Sequence, residues 1–217
     1  LLVLAAFPVV LMGWASCSHS GTGHAALPDP RAVDKSVPEY KNPFHPSTYA
    51  HFVARKDYRK TYDVYKDDTL LNRQPKKSRK IFVCLDEQRG QYLVDGLVAM
   101  DFPLSSGVKA YPTKTGDYAV ISKKEDHTSN LYGKMYDAEG KCINYNAEST
   151  DPIPEGGRFD GSPMPYWQRL TNAGLGLHVG KVRRHPVSHG CVRLPRNVAE
   201  ILYRQTSIGT PVTIQKT

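Results

Sequence analysis

The sequence predicts a mainly β domain, and three observations carry that prediction. Short runs rich in β-branched and aromatic residues are separated by turn signals. The segment Gly174 to Gly180 alternates with strand period, and a single helical repeat, Val198, Ile201 and Leu202, runs from near Pro195 until Gly209. At 217 residues the chain has room for one good-sized domain.

Taken in order, Leu1 to Met12 is an apolar run too short to span a bilayer comfortably and suited to a signal-peptide core. Ala15-Ser16-Cys17 resembles a bacterial lipoprotein cleavage box with Cys17 as the lipidated residue, although Trp14 stands where leucine is usual; ordinary signal cleavage nearby is the alternative. Residues 1–17 are therefore a leader, and 18–78 a linker with an aromatic N-terminal extension. Ser18 to Pro46 is rich in proline, glycine and small polar residues, as an extended tether is. Tyr49, Phe52, Tyr58, Tyr62 and Tyr65 then thicken in a piece expected to pack on the following domain, 79–217. Within that domain Lys80 to Asp86, Gln91 to Asp95, Leu97 to Phe102 and Asp117 to Lys123 read as strands, with Asp95-Gly96 as a turn. Asp126 to Gly161 reads as long loops beside a cleft. Tyr166 and Trp167 are expected either to wall that cleft or to pack in the core.

The chemistry concentrates in Ser188-His189-Gly190-Cys191-Val192-Arg193-Leu194. A thiolate, not a thiol, attacks, so a catalytic cysteine of ordinary pKa about 8.5 needs a base or a nearby cation. His178 is the candidate base. Leu175, Leu177 and Val179 fall on one face of its strand, and Gly174, Gly176, His178 and Gly180 on the other, leaving a lone imidazole on a face where a substrate backbone can approach. Gly190 predicts a tight turn that aims the N–H groups of Gly190 and Cys191 at one oxyanion position. Pro195 in a first helical turn places Cys191 just before a helix N-terminus, whose dipole favours a thiolate. Zinc is the competing reading, through His178, His185, His189 and Cys191. Pro186 and Gly190 oppose it, because they spoil the helix on which His185 and His189 would share a face.

The Ser-His-Gly-Cys-hydrophobic-Arg signature, the upstream histidine on a Gly-rich strand and the Gly-Thr-Pro-Val-Thr-Ile run at 209–214 resemble the L,D-transpeptidase (YkuD) catalytic domain. Lys80 to Asp86 with Gln88-Arg89 and Tyr92 to Val94, then Pro103 to Gly107 and Pro112 to Gly116, are similar to that family's earlier landmarks, so the resemblance covers about 79–216. It implies a β-rich sheet sandwich with a helix after the cysteine and long cleft loops, acting on peptidoglycan stem peptides without a cofactor. It further implies that Cys191 attacks the amide after the L-centre of diaminopimelate in a tetrapeptide stem, expels D-alanine and passes a thioester to an amine. By position, His178 matches the family's base, oriented by the Val179 carbonyl, while His189 and Gly190 shape the pocket and oxyanion site. Ser188, Tyr166 and Trp167 fall beside the substrate, and Arg193 has a charge suited to a stem carboxylate. Lys114 stands where proline is often found, and the loop Lys181 to Val187 is shorter than in many members.

A net charge of +8 and pI ≈ 9.3 suit an anionic partner such as an envelope polymer. No zinc-finger or RNA-recognition signature accompanies the basic clusters, so nucleic acid is not an expected partner. Lipidation of Cys17 would leave Cys84, Cys142 and Cys191, an odd number, with Cys191 expected as the unpaired thiol. Three functions stay open: a transpeptidase that crosslinks stems or attaches an envelope protein, a hydrolase using the same thioester, and a noncatalytic wall-binding lipoprotein. The expected setting is the periplasmic side of a bacterial envelope, on a lipid anchor.

Overall fold

The computed structural model describes residues 28–74 and 78–216. The leader 1–17, with its expected lipidation site Cys17, lies outside them. In chain order the elements are α1 (Tyr49–Ala54), β1 (Tyr65–Lys66), α2 (Asp68–Leu71), β2 (Arg79–Cys84), β3 (Arg89–Val94), β4 (Leu97–Pro103), β5 (Gly116–Ala119) and β6 (Ser122–Lys124). There follow β7 (Thr128–Tyr136), β8 (Cys142–Glu148), β9 (Arg158–Pro163), β10 (Trp167–Arg169), β11 (Gly176–Val179), β12 (Val192–Leu194), α3 (Arg196–Gln205) and β13 (Pro211–Gln215). No helix among the described residues is long and apolar enough to cross a membrane.

The fold is β-rich, as the sequence predicts. A six-stranded sheet runs β1-β4-β3-β2-β13-β5 and a four-stranded sheet runs β12-β11-β10-β6. Alternation in β2 turns Ile81 and Val83 inward and Lys80 outward. The β3–β4 turn takes Asp95 and Gly96 at φ 50° and 78°, the positive-φ pair that a tight hairpin needs. Ile81, Val83, Met100, Phe102, Val212 and Ile214 of the large sheet meet Leu177, Val192 and Leu194 of the smaller one, and Val198, Ala199 and Leu202 of α3 complete the core. α3 is amphipathic for that reason, since those three residues share one face.

Two expectations for the middle of the chain are corrected. Asp117 to Lys123 is not one strand: β5 pairs with β13 in the large sheet and β6 with β10 in the other, so the chain changes sheets at Val120-Ile121. Val120 is buried at that corner, which lets one segment close both layers. Asp126 to Gly161 is not a set of loops but a third sheet, ordered β8-β7-β9. It has little core of its own, Met135 and Ala147 being its buried apolar residues, so its strands lack the apolar alternation that marks the others.

The extension packs on the outer face of the large sheet. β1 pairs with β4, Tyr65 opposite Asp101, and Phe52, Val53 and Tyr58 form a small cluster above it. Asp101, fully buried, receives Arg89 Nε at 2.6 Å and the hydroxyls of Tyr49 and Tyr58 at 2.8 Å each.

Candidate active site

The signature turn rests on a cradle built from the two landmark segments before it. The Ser106 carbonyl accepts from the N–H groups of Val187 and Ser188, and Ser106 is itself held by Gln88, whose Nε2 donates to its hydroxyl at 2.7 Å. Thr113 Oγ1 accepts from the Gly107 N–H at 2.8 Å and donates to the Gly190 carbonyl at 2.6 Å. Gly107 has no alternative: a Cβ there would lie 2.1 Å from the Tyr111 carbonyl oxygen and 2.8 Å from Gly190 Cα. Gln88, Gly107 and Thr113 lie in the landmark segments, but their supporting role is not legible there, because they act on groups distant in sequence.

Ser188 lines the cleft and also clamps the turn. Its hydroxyl donates to the Cys191 carbonyl at 2.5 Å and accepts from the Gly190 N–H at 3.2 Å. Gly190, at φ 112°, thereby commits its N–H inward. The expected oxyanion pair is therefore reduced, and the Cys191 N–H is the donor of the two that has no acceptor among the described residues. Ser188→Ala is expected to lower turnover about 10- to 100-fold through misplacement of the turn, with a loss of about 1 kcal/mol in stability. Steady-state kinetics alongside thermal melting measures both.

β11 and β12 are parallel, with His178 in register with Arg193 and Leu177 with Val192. That register sets His178 beside Arg193. His178 is buried, and its Nδ1 lies 2.7 Å from the Val179 carbonyl oxygen. A carbonyl only accepts, so the proton is on Nδ1 and Nε2 is left basic. Burial lowers its pKa to about 4, with the charges of Arg193 and His127 adding to that effect and the Val179 bond opposing it. The Cys191 thiol donates to the Gly174 carbonyl at 3.3 Å, and burial raises its pKa while the Gly176 backbone and Arg193 pull it back. At neutral pH the resting pair is thus a neutral thiol and a neutral imidazole.

The glycine face of β11 serves these side chains as well as the cleft. A Cβ at Gly176 would strike the Trp167 indole at 2.5 Å, and one at Gly180 would strike the Arg193 stem at 2.8 Å. Gly174 has no atom within 4 Å of the same position and faces open space. Trp167 lines the cleft between His127, on which it stacks at 5.1 Å, and His178, whose ring centre is 5.9 Å away. Tyr166 does not wall the cleft. Its backbone is left-handed at φ 55°, and its ring packs beside Tyr203 at 5.6 Å and against the core.

His189 also lines the cleft, exposed, stacked on Tyr132 at 4.3 Å and flanked by Tyr111 at 4.8 Å. Tyr132 comes from β7 in the segment expected to be loop, and it lines the same cleft as Cys191. The expected helix dipole is corrected too: β12 intervenes between Cys191 and α3, and Pro195 is the cap rather than the first helical residue. Nor do the four zinc candidates gather. Among the described residues no three His, Cys, Asp or Glu side chains converge on a metal position, and His185 is exposed at Pro186. Cys84, Cys142 and Cys191 are all free thiols.

The cleft has a volume of about 760 Å³ and is lined by Cys191, His178 and Arg193 together with residues of β7 and β8. A thiol, an imidazole with one bare nitrogen and an unengaged backbone N–H in one cleft are the parts that acyl transfer through a thioester requires. The family profile of the L,D-transpeptidase catalytic domain matches residues 78–214, well over half of the chain. The chain belongs to this family. A curated member, the probable L,D-transpeptidase 3 of Mycobacterium tuberculosis, is 31% identical over 121 residues, which are 52% of this chain and 38% of that protein. The chain therefore spans well under two thirds of that L,D-transpeptidase. Among solved structures, an L,D-transpeptidase from Mycobacterium smegmatis is 22% identical, with a TM-score of 0.49 over 63% of this chain and 58% of that one. Another from Stackebrandtia nassauensis is 21% identical, with a TM-score of 0.49 over 77% and 66%.

Proposed function

We propose that the protein is a cysteine-dependent L,D-transpeptidase acting on peptidoglycan tetrapeptide stems. The observation that carries this reading is the buried imidazole of His178, held by the Val179 carbonyl in the same cleft as the half-buried Cys191 thiol. A merely structural histidine has no need for that tautomer in a cleft that also holds a thiol.

In this reading His178 Nε2 takes the thiol proton as Cys191 Sγ bonds to the carbonyl carbon of the diaminopimelate L-centre. The oxyanion forms against the Cys191 N–H. The C–N bond then breaks, and the proton held by His178 goes to the departing D-alanine amine. An acceptor amine next attacks the thioester and loses its proton through His178 to the leaving sulfur, so the thiol is restored. Arg193, for which the described residues supply no carboxylate partner, holds a stem carboxylate, and Trp167 and His189 line the cleft. The setting is the bacterial envelope, with Cys17 as the anchor and a second stem or an envelope protein as acceptor.

The test is mass spectrometry of the protein incubated with a diaminopimelate tetrapeptide muropeptide. The expected result is an acyl adduct mapped to Cys191 with loss of D-alanine, followed by a crosslinked dimer. The same adduct ending only in tripeptide identifies a hydrolase. Folded protein that forms neither adduct nor product overturns the enzymatic reading in favour of wall binding.

A further inference from the structure

The charge lining the cleft is one-sided. Lys114, Arg169, Lys181 and Arg193 line it, and no aspartate or glutamate does. They come from four directions: Lys114 follows the threonine that holds the Gly190 carbonyl, Arg169 ends β10, Lys181 lies just beyond β11, and Arg193 is on β12 beside His178. The chain's ion pairs lie elsewhere: among the described residues none of these four is within salt-bridge distance of a carboxylate. Glu148 on β8 reaches Tyr132 but does not line the cleft. The positive field is felt by the neutral groups inside, since after burial it is Lys124 and Arg169 that hold the His127 pKa down.

Four cations without carboxylate partners around a cleft that no acid lines favour a ligand with several negative charges, because each gains from a carboxylate brought to it. A tetrapeptide stem in its free form carries three carboxylates: on the γ-linked glutamate, on the distal centre of diaminopimelate and on the terminal D-alanine. Amidation removes the first or the second without changing shape appreciably. We propose that this cleft selects the donor stem by charge, taking the stem with free glutamate and diaminopimelate carboxylates over its amidated forms. This rests on the stem-peptide reading above and adds the chemical form of the substrate.

The experiment compares four synthetic tetrapeptide stems, unamidated, amidated at either position and amidated at both. D-alanine release by the wild type gives KM and kcat, and titration of Cys191→Ala with the same stems gives Kd without turnover. Each amidation is expected to raise KM and Kd about threefold to tenfold, as loss of one partly screened charge pair does. The preference should narrow in added salt, and it should narrow in Arg169→Gln and in the exposed Lys181→Gln, which leaves the sheet untouched. Equal affinity for all four stems, or tighter binding of the amidated ones, overturns the inference. If no stem loses D-alanine, the transpeptidase reading fails, and the Kd series on Cys191→Ala still decides the charge selection by itself.

Discussion

Cys191→Ala is expected to yield no acyl adduct and no product while melting at nearly the wild-type temperature. The thiol interacts weakly with the backbone of Gly174 and Gly176, and the turn is held by Ser188, Thr113 and Ser106 through bonds that do not involve the sulfur. His178→Ala should lower kcat/KM by about 10²- to 10⁴-fold, the range for removal of a general base. A loss below about threefold would assign the base role to another group. The pH profile separates the base from a bystander. Because burial holds the His178 pKa down to about 4, Nε2 stays unprotonated through the whole range in which an ordinary imidazole, near 6.5, would titrate. Protonation of the base removes activity, so kcat/KM should stay level from neutral pH downward and fall only as pH approaches about 4. An acid limb near the ordinary imidazole value would contradict the buried neutral base. The raised thiol and the lowered imidazole together mean that proton transfer accompanies attack and does not precede it. Alkylation of Cys191 by a small uncharged reagent at neutral pH should accordingly be slow compared with a solvent-exposed thiol.

How legible this site was depends on the range over which each feature is encoded. The β2–β3–β4 meander was readable because alternation and the Asp95-Gly96 turn are local signals. That His178 and Cys191 share one cleft was readable because the thiol, the glycines and the histidine sit in short segments that point to a common chemistry. The Ser188 clamp was hidden, since a serine beside a catalytic motif suits a ligand contact equally well until the turn brings its hydroxyl onto the Cys191 carbonyl. Tyr166 and Trp167 were indistinguishable by type, and the left-handed backbone at Tyr166 decides which of them faces the cleft. The sheet of β7, β8 and β9 went unread because its strands are mostly polar and exposed on their outer faces, and Gly133 and Gly161 sit where the backbones pack too closely for a Cβ. With that sheet went Tyr132, the aromatic residue that stacks on His189 at the cleft.

The largest loss of stability is expected from a residue far from the chemistry. Asp101 in β4 is fully buried, and it binds Arg89, itself 2% exposed, together with Tyr49 and Tyr58 of the extension. Arg89 also donates to the carbonyls of Thr61 and Asp63 and lies over the rings of Tyr58 at 4.9 Å and Phe52 at 5.3 Å. Asp101→Ala leaves that guanidinium buried without its counter-charge and strands two phenols, so it should cost about 3–5 kcal/mol, the penalty for breaking a buried pair from one side. Replacing both partners, as in Arg89→Met with Asp101→Leu, should recover much of it, because no uncompensated charge remains. Denaturant unfolding of the single and double variants measures the difference, and a loss under about 1 kcal/mol for Asp101→Ala would show that the hub is not holding the extension. The consequence reaches the cleft through the Tyr62 hydroxyl, which donates to the Arg183 carbonyl at 3.2 Å in the loop Lys181 to Val187. The Arg183 N–H in turn donates to Ser105 Oγ at 2.8 Å, next to the Ser106 carbonyl that supports the signature turn. Loosening the extension therefore unties one side of the substrate loop, and Asp101→Ala should raise KM at temperatures where the sheets are still folded, with early proteolytic cleavage before residue 74 as the accompanying sign.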